Sequence, residues 1–79
     1  MSDVVDALAA MWRDLLGIDD VTGESDFIDC GGTSVTAVHL AALVQEKFAV
    51  PIDAIDVVIL RRFDVISQCI QERLAHHST

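Results

Sequence analysis

The sequence predicts a small all-α bundle of four helices, with a long loop between the first helix and the second. Apolar residues recur at helical spacing in four stretches, and the breaks between them hold glycines, the proline and good capping residues. The composition agrees: 52% of the residues are hydrophobic, with one proline, four glycines and no tyrosine, which excludes a disordered chain. At 79 residues the chain makes one domain, 1–79. A domain of this size buries only ~60% of the surface its unfolded chain exposes, which leaves little interior for a deep catalytic cleft.

The first helix runs from a cap at Ser2 or Asp3 to Leu16 and stops at Gly17. Its inward residues are Val5, Leu8, Met11, Trp12, Leu15 and Leu16. Residues 17–33 form a long polar connection carrying Asp19, Asp20, Gly23, Ser25 and the Gly31-Gly32 pair. Connections of this length inside a compact domain are uncommon and usually functional. The second helix begins with Ser34 as its N-cap and ends near Phe48, with Pro51 beyond it. Asp53 caps a short third helix through Ile55, Val58 and Ile59. Asp64 caps the last one, whose stripe is Val65, Ile66, Cys69, Ile70 and Leu74.

The second helix is the informative one. At ~100° per residue, Ala37, Leu40, Val44 and Phe48 share the side that faces the core. Val35, Val38 and Ala42 fall near the opposite side. A helix in so small a domain is not buried all round, so these three form an exposed apolar patch of the kind that meets partners. The alternative is that the first helix or the long loop covers them.

Charge is unevenly placed. Of the net −8, residues 1–30 carry −7, eight acids against Arg13 alone. An acidic surface argues against nucleic acid and anionic membrane as partners. Cys30 and Cys69 make neither a disulfide framework nor a metal cluster. No basic region followed by an apolar one opens the chain, and no apolar run approaches the ~20 residues of a membrane span. The expectation is a cytoplasmic, reduced protein.

The run Asp26-Phe27-Ile28-Asp29-Cys30-Gly31-Gly32-Thr33-Ser34-Val35 resembles the D-x-F-F-x-L-G-G-x-S-L signature of peptidyl carrier (thiolation) domains of nonribosomal peptide synthetases. The register continues downstream through Ala37, Leu40, Val44 and Phe48, and upstream through Trp12, Leu16 and Gly17. Cys30 and Val35 replace leucines, and Ile28 the second phenylalanine. From Asp53 to Ser67 the family's phenylalanine and Pro-Thr pair are missing, and Ile59-Leu60-Arg61-Arg62-Phe63 reads as extra or rearranged helix.

The resemblance implies an acyl-carrier-like four-helix bundle that does not itself catalyse. Ser34 is its implied attachment point for a covalent 4′-phosphopantetheine arm, which holds aminoacyl, peptidyl or acyl groups as thioesters. Gly31, Gly32, Thr33 and Asp29 frame that serine; Val35, Val38, Ala42 and His39 are the candidate partner residues. The implied partners are a phosphopantetheinyl transferase, an adenylation or other loading enzyme, and condensation or tailoring enzymes of nonribosomal peptide or related biosynthesis. A free-standing monomer acting in trans is expected, because helix residues begin almost at Met1 and the chain ends soon after the last helix.

Each of these residues also has a plainer reading. Taken alone, Ser34 is an ordinary helix cap; the flanking register favours the modified serine. Asp29 either holds the loop through a backbone hydrogen bond or faces a basic pocket on the modifying enzyme. His39, five positions after Ser34, is turned ~140° from the hydroxyl, which excludes a serine hydrolase and leaves a solvated or partner-facing role. His76 and His77, near the chain end, receive no role. The glycine pair lacks the G-x-x-x-x-G-K-[ST] pattern of a nucleotide-phosphate loop, Cys30 reads as a small hydrophobe rather than a reactive thiol, and Trp12 as core. Residues 34–48 carry only Glu46 and Lys47 as charges, which points to apolar docking and to the peptidyl type. The alternatives are an acyl carrier of polyketide or fatty-acid type and an unmodified helical adaptor.

Overall fold

The computed structural model describes residues 3–77, and side chains as far as residue 75. Four helices follow in order: α1 (Asp3–Leu16), α2 (Ser34–Phe48), α3 (Ala54–Leu60) and α4 (Phe63–His77). Helix α1 packs against α2 and α4, and α3 packs against α2 and α4. All four contribute to one apolar core. Ser2 and the side chains of His76 and His77 lie outside the described residues.

The ends of α1 and α2 and the start of α3 have local reasons. Gly17, at φ 65°, takes the left-handed conformation that closes α1, its N–H donating to the Arg13 carbonyl oxygen at 2.8 Å. Ala49 closes α2 in the same way at φ 55°, with its N–H on the Gln45 carbonyl oxygen. Helix α3 begins after Asp53, whose N–H donates to the Asp56 carboxylate at 3.1 Å.

Expectations about α1, α4 and the α1–α2 connection are corrected. In α1 the buried residues are Val4, Leu8 and Trp12, and Val5 is exposed. The inward line follows i, i+4, i+8 from Val4, which turns Val5 ~100° aside. Helix α4 starts at Phe63, so Asp64 stands in its first turn instead of capping it. The core line is then Phe63, Ile66, Ser67 and Ile70, with Leu74 partly buried, and Val65 is exposed. The α1–α2 connection, read as polar, contains a fully buried aromatic, Phe27.

Trp12 organises the middle of the molecule, as its core placement predicts. Its ring meets Phe27 and Phe63 edge to face, with centroids 5.3 Å away in both cases. One indole from α1 thereby fixes the loop before α2 and the first turn of α4. The loop is tied to the α3–α4 corner by backbone as well: Phe27 N–H donates to the Arg61 carbonyl oxygen and Phe63 N–H to that of Ser25, both at 2.8 Å. A short antiparallel bridge joins Asp26 to Arg62.

Candidate functional site

The site is built where the long loop enters α2. The segment from Asp26 to Gly32 is wound by its own hydrogen bonds. Cys30 N–H reaches the Asp26 carbonyl oxygen at 2.9 Å, Gly31 N–H that of Ile28 at 3.0 Å, and Gly32 N–H that of Phe27 at 2.8 Å. The two glycines serve different needs. Gly31 has φ 97°, which a side chain rarely adopts, although nothing lies within 4 Å of where its β-carbon would stand. Gly32 is required by space instead: a β-carbon there would lie 2.5 Å from the Phe27 carbonyl oxygen and closer still to its ring.

Thr33, not Ser34, is the N-cap of α2, which corrects the capping expectation. Its backbone is extended, its hydroxyl accepts the Thr36 N–H at 3.3 Å, and the Thr36 hydroxyl accepts the Thr33 N–H at 2.7 Å. This reciprocal pair is a capping box with threonine in the place usually taken by Glu or Gln. The three-residue spacing was readable in the sequence. Because Thr33 takes the cap, the Ser34 side chain is released from that duty. Ser34 is exposed, and its hydroxyl meets no described partner.

The first turn of α2 offers the chemistry a phosphate ester needs. No described residue accepts from the N–H groups of Ser34 and Val35. These free donors and the positive end of the helix dipole face the same end as the Ser34 hydroxyl. The donor set therefore fits a covalently attached phosphate. Asp29 is exposed and its carboxylate holds no backbone group; the loop-holding carboxylate is Asp26, which falls at an unspecified position of the motif and to which the sequence assigns no role. Asp26 Oδ1 accepts the N–H groups of Ile28 and Asp29 at 2.9 and 3.1 Å. The bond from Asp29 N–H first, and then the Arg61 guanidinium, hold the Asp26 carboxyl below the usual carboxylate range, against some desolvation. An Asx turn is legible in an Asp that opens a turn, whereas its pairing with Arg61, 35 residues away, is not.

Val35 and Val38 are 64% and 56% exposed, and Ala42 and His39 are exposed beside them. Neither α1 nor the loop covers the patch. The opposite face of α2 carries the buried Ala37, Leu40, Ala41 and Val44, with Phe48 half-buried at the end. Helix α3 adds the exposed Ile55 and Ile59, which sequence reasoning placed with the helix but not with any surface. Cys30 is half-buried, and among the described residues no cluster of His, Cys, Asp and Glu is arranged to hold a metal. No described helix is long and apolar enough to cross a membrane.

Comparison with known proteins agrees with this geometry. The family described as phosphopantetheine attachment site matches residues 6–74. The linear gramicidin synthase of Brevibacillus parabrevis has a polypeptide that is 42% identical over 50 residues, 61% of this chain and 1% of that protein. Tyrocidine synthase 3 of the same organism is 36% identical over 45 residues, 57% of this chain and 1% of that protein. The chain thus spans about 1% of the length of these curated relatives. A solution structure of a non-covalent extended docking domain complex of the Pax NRPS, PaxA T1-CDD with PaxB NDD, superposes with a TM-score of 0.87. It is 22% identical, and the match covers 100% of this chain and 76% of that one, which shows a shared fold. With the motif in register, the helices in place and nearly the whole chain matched, this protein belongs to the phosphopantetheine attachment family of carrier domains, whose cofactor is a covalently bound 4′-phosphopantetheine.

Proposed function

We propose that the chain is a peptidyl carrier domain of nonribosomal peptide synthesis whose arm is attached at Ser34. The observation that carries this reading is the exposed, unpartnered Ser34 hydroxyl in the first turn of α2, inside the motif and released from capping by Thr33. The synthetase relatives support the pathway.

The serine oxygen forms a bond to the phosphorus of coenzyme A's pantetheine phosphate. The bond from that phosphorus to the nucleotide breaks, and the hydroxyl proton leaves to the transferase. The attached arm supplies a terminal thiol on which acyl groups ride as thioesters. The chain's own part is to present and anchor. The Ser34 and Val35 N–H groups and the helix dipole stabilise the new phosphodiester charge by ~0.3–1 kcal/mol at this exposed position. Gly31, Gly32 and Thr33, with Asp29 exposed in the turn that Asp26 closes, hold the approach to the serine open. A phosphopantetheinyl transferase reaches the serine itself, while Val35, Val38, Ala42 and His39 form the docking face for a loading enzyme such as an adenylation enzyme and for condensation or tailoring enzymes. That contact is apolar and therefore weakly salt-dependent. The carrier is one monomeric domain that works in the cytoplasm.

Mass spectrometry tests the reading. Incubation with coenzyme A and a phosphopantetheinyl transferase adds one arm to the wild type and none to Ser34→Ala. A folded wild type that gains no mass rejects it. Val35→Asp and Val38→Asp are expected to fold and accept the arm while impairing a downstream partner.

A further inference from the structure

Arg61 occupies a backbone conformation that disfavours every residue except glycine. It has φ 60° and ψ −49°, and the Arg62 N–H turns back to the Leu60 carbonyl oxygen at 2.6 Å. This is a γ-turn of the strained kind, and side chains held in such regions cluster where the strain serves function. Arginine rather than glycine stands there. Its neighbour Arg62 pairs locally with Asp64 at 2.9 Å, two residues on. The Arg61 guanidinium instead crosses to the serine-bearing loop. Its Nε lies 3.1 Å from Asp26 Oδ2, and its Nη2 3.2 Å from Oδ1. Its carbonyl oxygen accepts the Phe27 N–H at 2.8 Å. One residue therefore grips the start of the loop by backbone and by side chain. Asp26 passes that grip on through Ile28 and Asp29, and the wound segment continues to Gly32 and the Thr33 cap.

We propose that Arg61 is a positioning residue: held in a strained turn at the α3–α4 corner, it latches Asp26 and so pre-orders the loop that presents Ser34. It lies in the stretch where this chain departs from the carrier signature, so the latch belongs to this sequence and not to its motif. Its consequence for arm transfer rests on the Ser34 reading, whereas the ordering of the loop does not.

The test uses the unmodified full chain. Amide hydrogen exchange at Ile28 and Asp29 is measured in wild type, Arg61→Gly, Asp26→Asn and the double variant. Arg61→Gly relaxes the turn and removes the guanidinium; Asp26→Asn keeps an acceptor for both amides but loses the charge. Exchange at these amides is expected to rise roughly two- to fivefold in Arg61→Gly, the range of an exposed ion pair, while the melting temperature stays near wild type. Exchange in the double variant should rise by less than the product of the two single effects, and Arg61→Lys should recover part of the protection. In transfer from coenzyme A, KM for Arg61→Gly rises by a similar factor with kcat held, because the loop must be ordered on binding. Unchanged exchange in Arg61→Gly, or single effects that multiply in the double variant, overturns the latch. If wild type gains no arm, the Ser34 reading fails and the exchange data still decide the latch.

Discussion

The loop before α2 and the corner before α4 are hydrogen-bonded to each other, yet they meet the demands of a left-handed backbone in opposite ways. At φ 97° the loop uses Gly31, which carries no β-carbon to strain. At φ 60° the corner uses Arg61, which does. The loop is thus relaxed by composition, and the corner is held by contacts: the γ-turn, the bond to Phe27 and the ion pair to Asp26. Strain is retained in this molecule on the side that reaches across, and avoided on the side that carries the serine.

Substitutions that add a β-carbon to the loop should break this division, and the largest effect is expected at Gly32. In Gly32→Ala the new atom meets a carbonyl oxygen and a buried ring wedged against Trp12, so nothing nearby can yield cheaply. A loss of about 3 kcal/mol or more is expected, from a total that for a domain this size is roughly 4–12 kcal/mol. Urea denaturation measures it, and a midpoint near wild type would show that Phe27 can swing away. Gly31→Ala meets open space and suffers only the dihedral penalty, about 1–2 kcal/mol. Arg61→Gly reverses the sign of the dihedral effect: the turn relaxes, while the lost ion pair and the freer unfolded glycine offset the gain. Global stability is expected close to wild type by the same denaturation assay, although Gly31→Ala and Arg61→Gly alter positions with the same sign of φ.

Much of this was legible in the sequence. The bounds of α2, the stop at Gly17, the outward Val35 and Val38 and the inward Trp12 follow from local spacing and composition. What escaped depends on contacts remote in sequence or on a one-residue choice between neighbours. Val4 and Val5 are equally apolar, and only the packed bundle selects Val4. Thr33 and Ser34 are both good caps, and the Thr36 hydroxyl decides between them. The start of α4 at Phe63 depends on Trp12 drawing that ring inward. Arg61 reads as one charge among helix residues until the fold sets it against Asp26.

The smallest expected effect concerns pH, and it sharpens the comparison because it isolates the bond between the two regions. The Asp26 carboxyl titrates below its ordinary range in the folded chain, held first by the Asp29 N–H and further by Arg61. A group whose folded pKa is lowered contributes stability above its unfolded pKa and loses it as pH falls through the folded value. The other carboxylates also titrate in acid, so the informative quantity is the stability of wild type minus that of Asp26→Asn. That difference should be constant near neutral pH and shrink on acidification. In the Arg61→Gly background it should start smaller and shrink less, because the Arg61 contribution to the shift is gone and only the backbone bonds remain. Urea midpoints for the four proteins between neutral and acid pH measure this. Equal acid slopes in the two backgrounds would mean that the Asx turn alone holds the carboxylate and that the corner adds nothing to it.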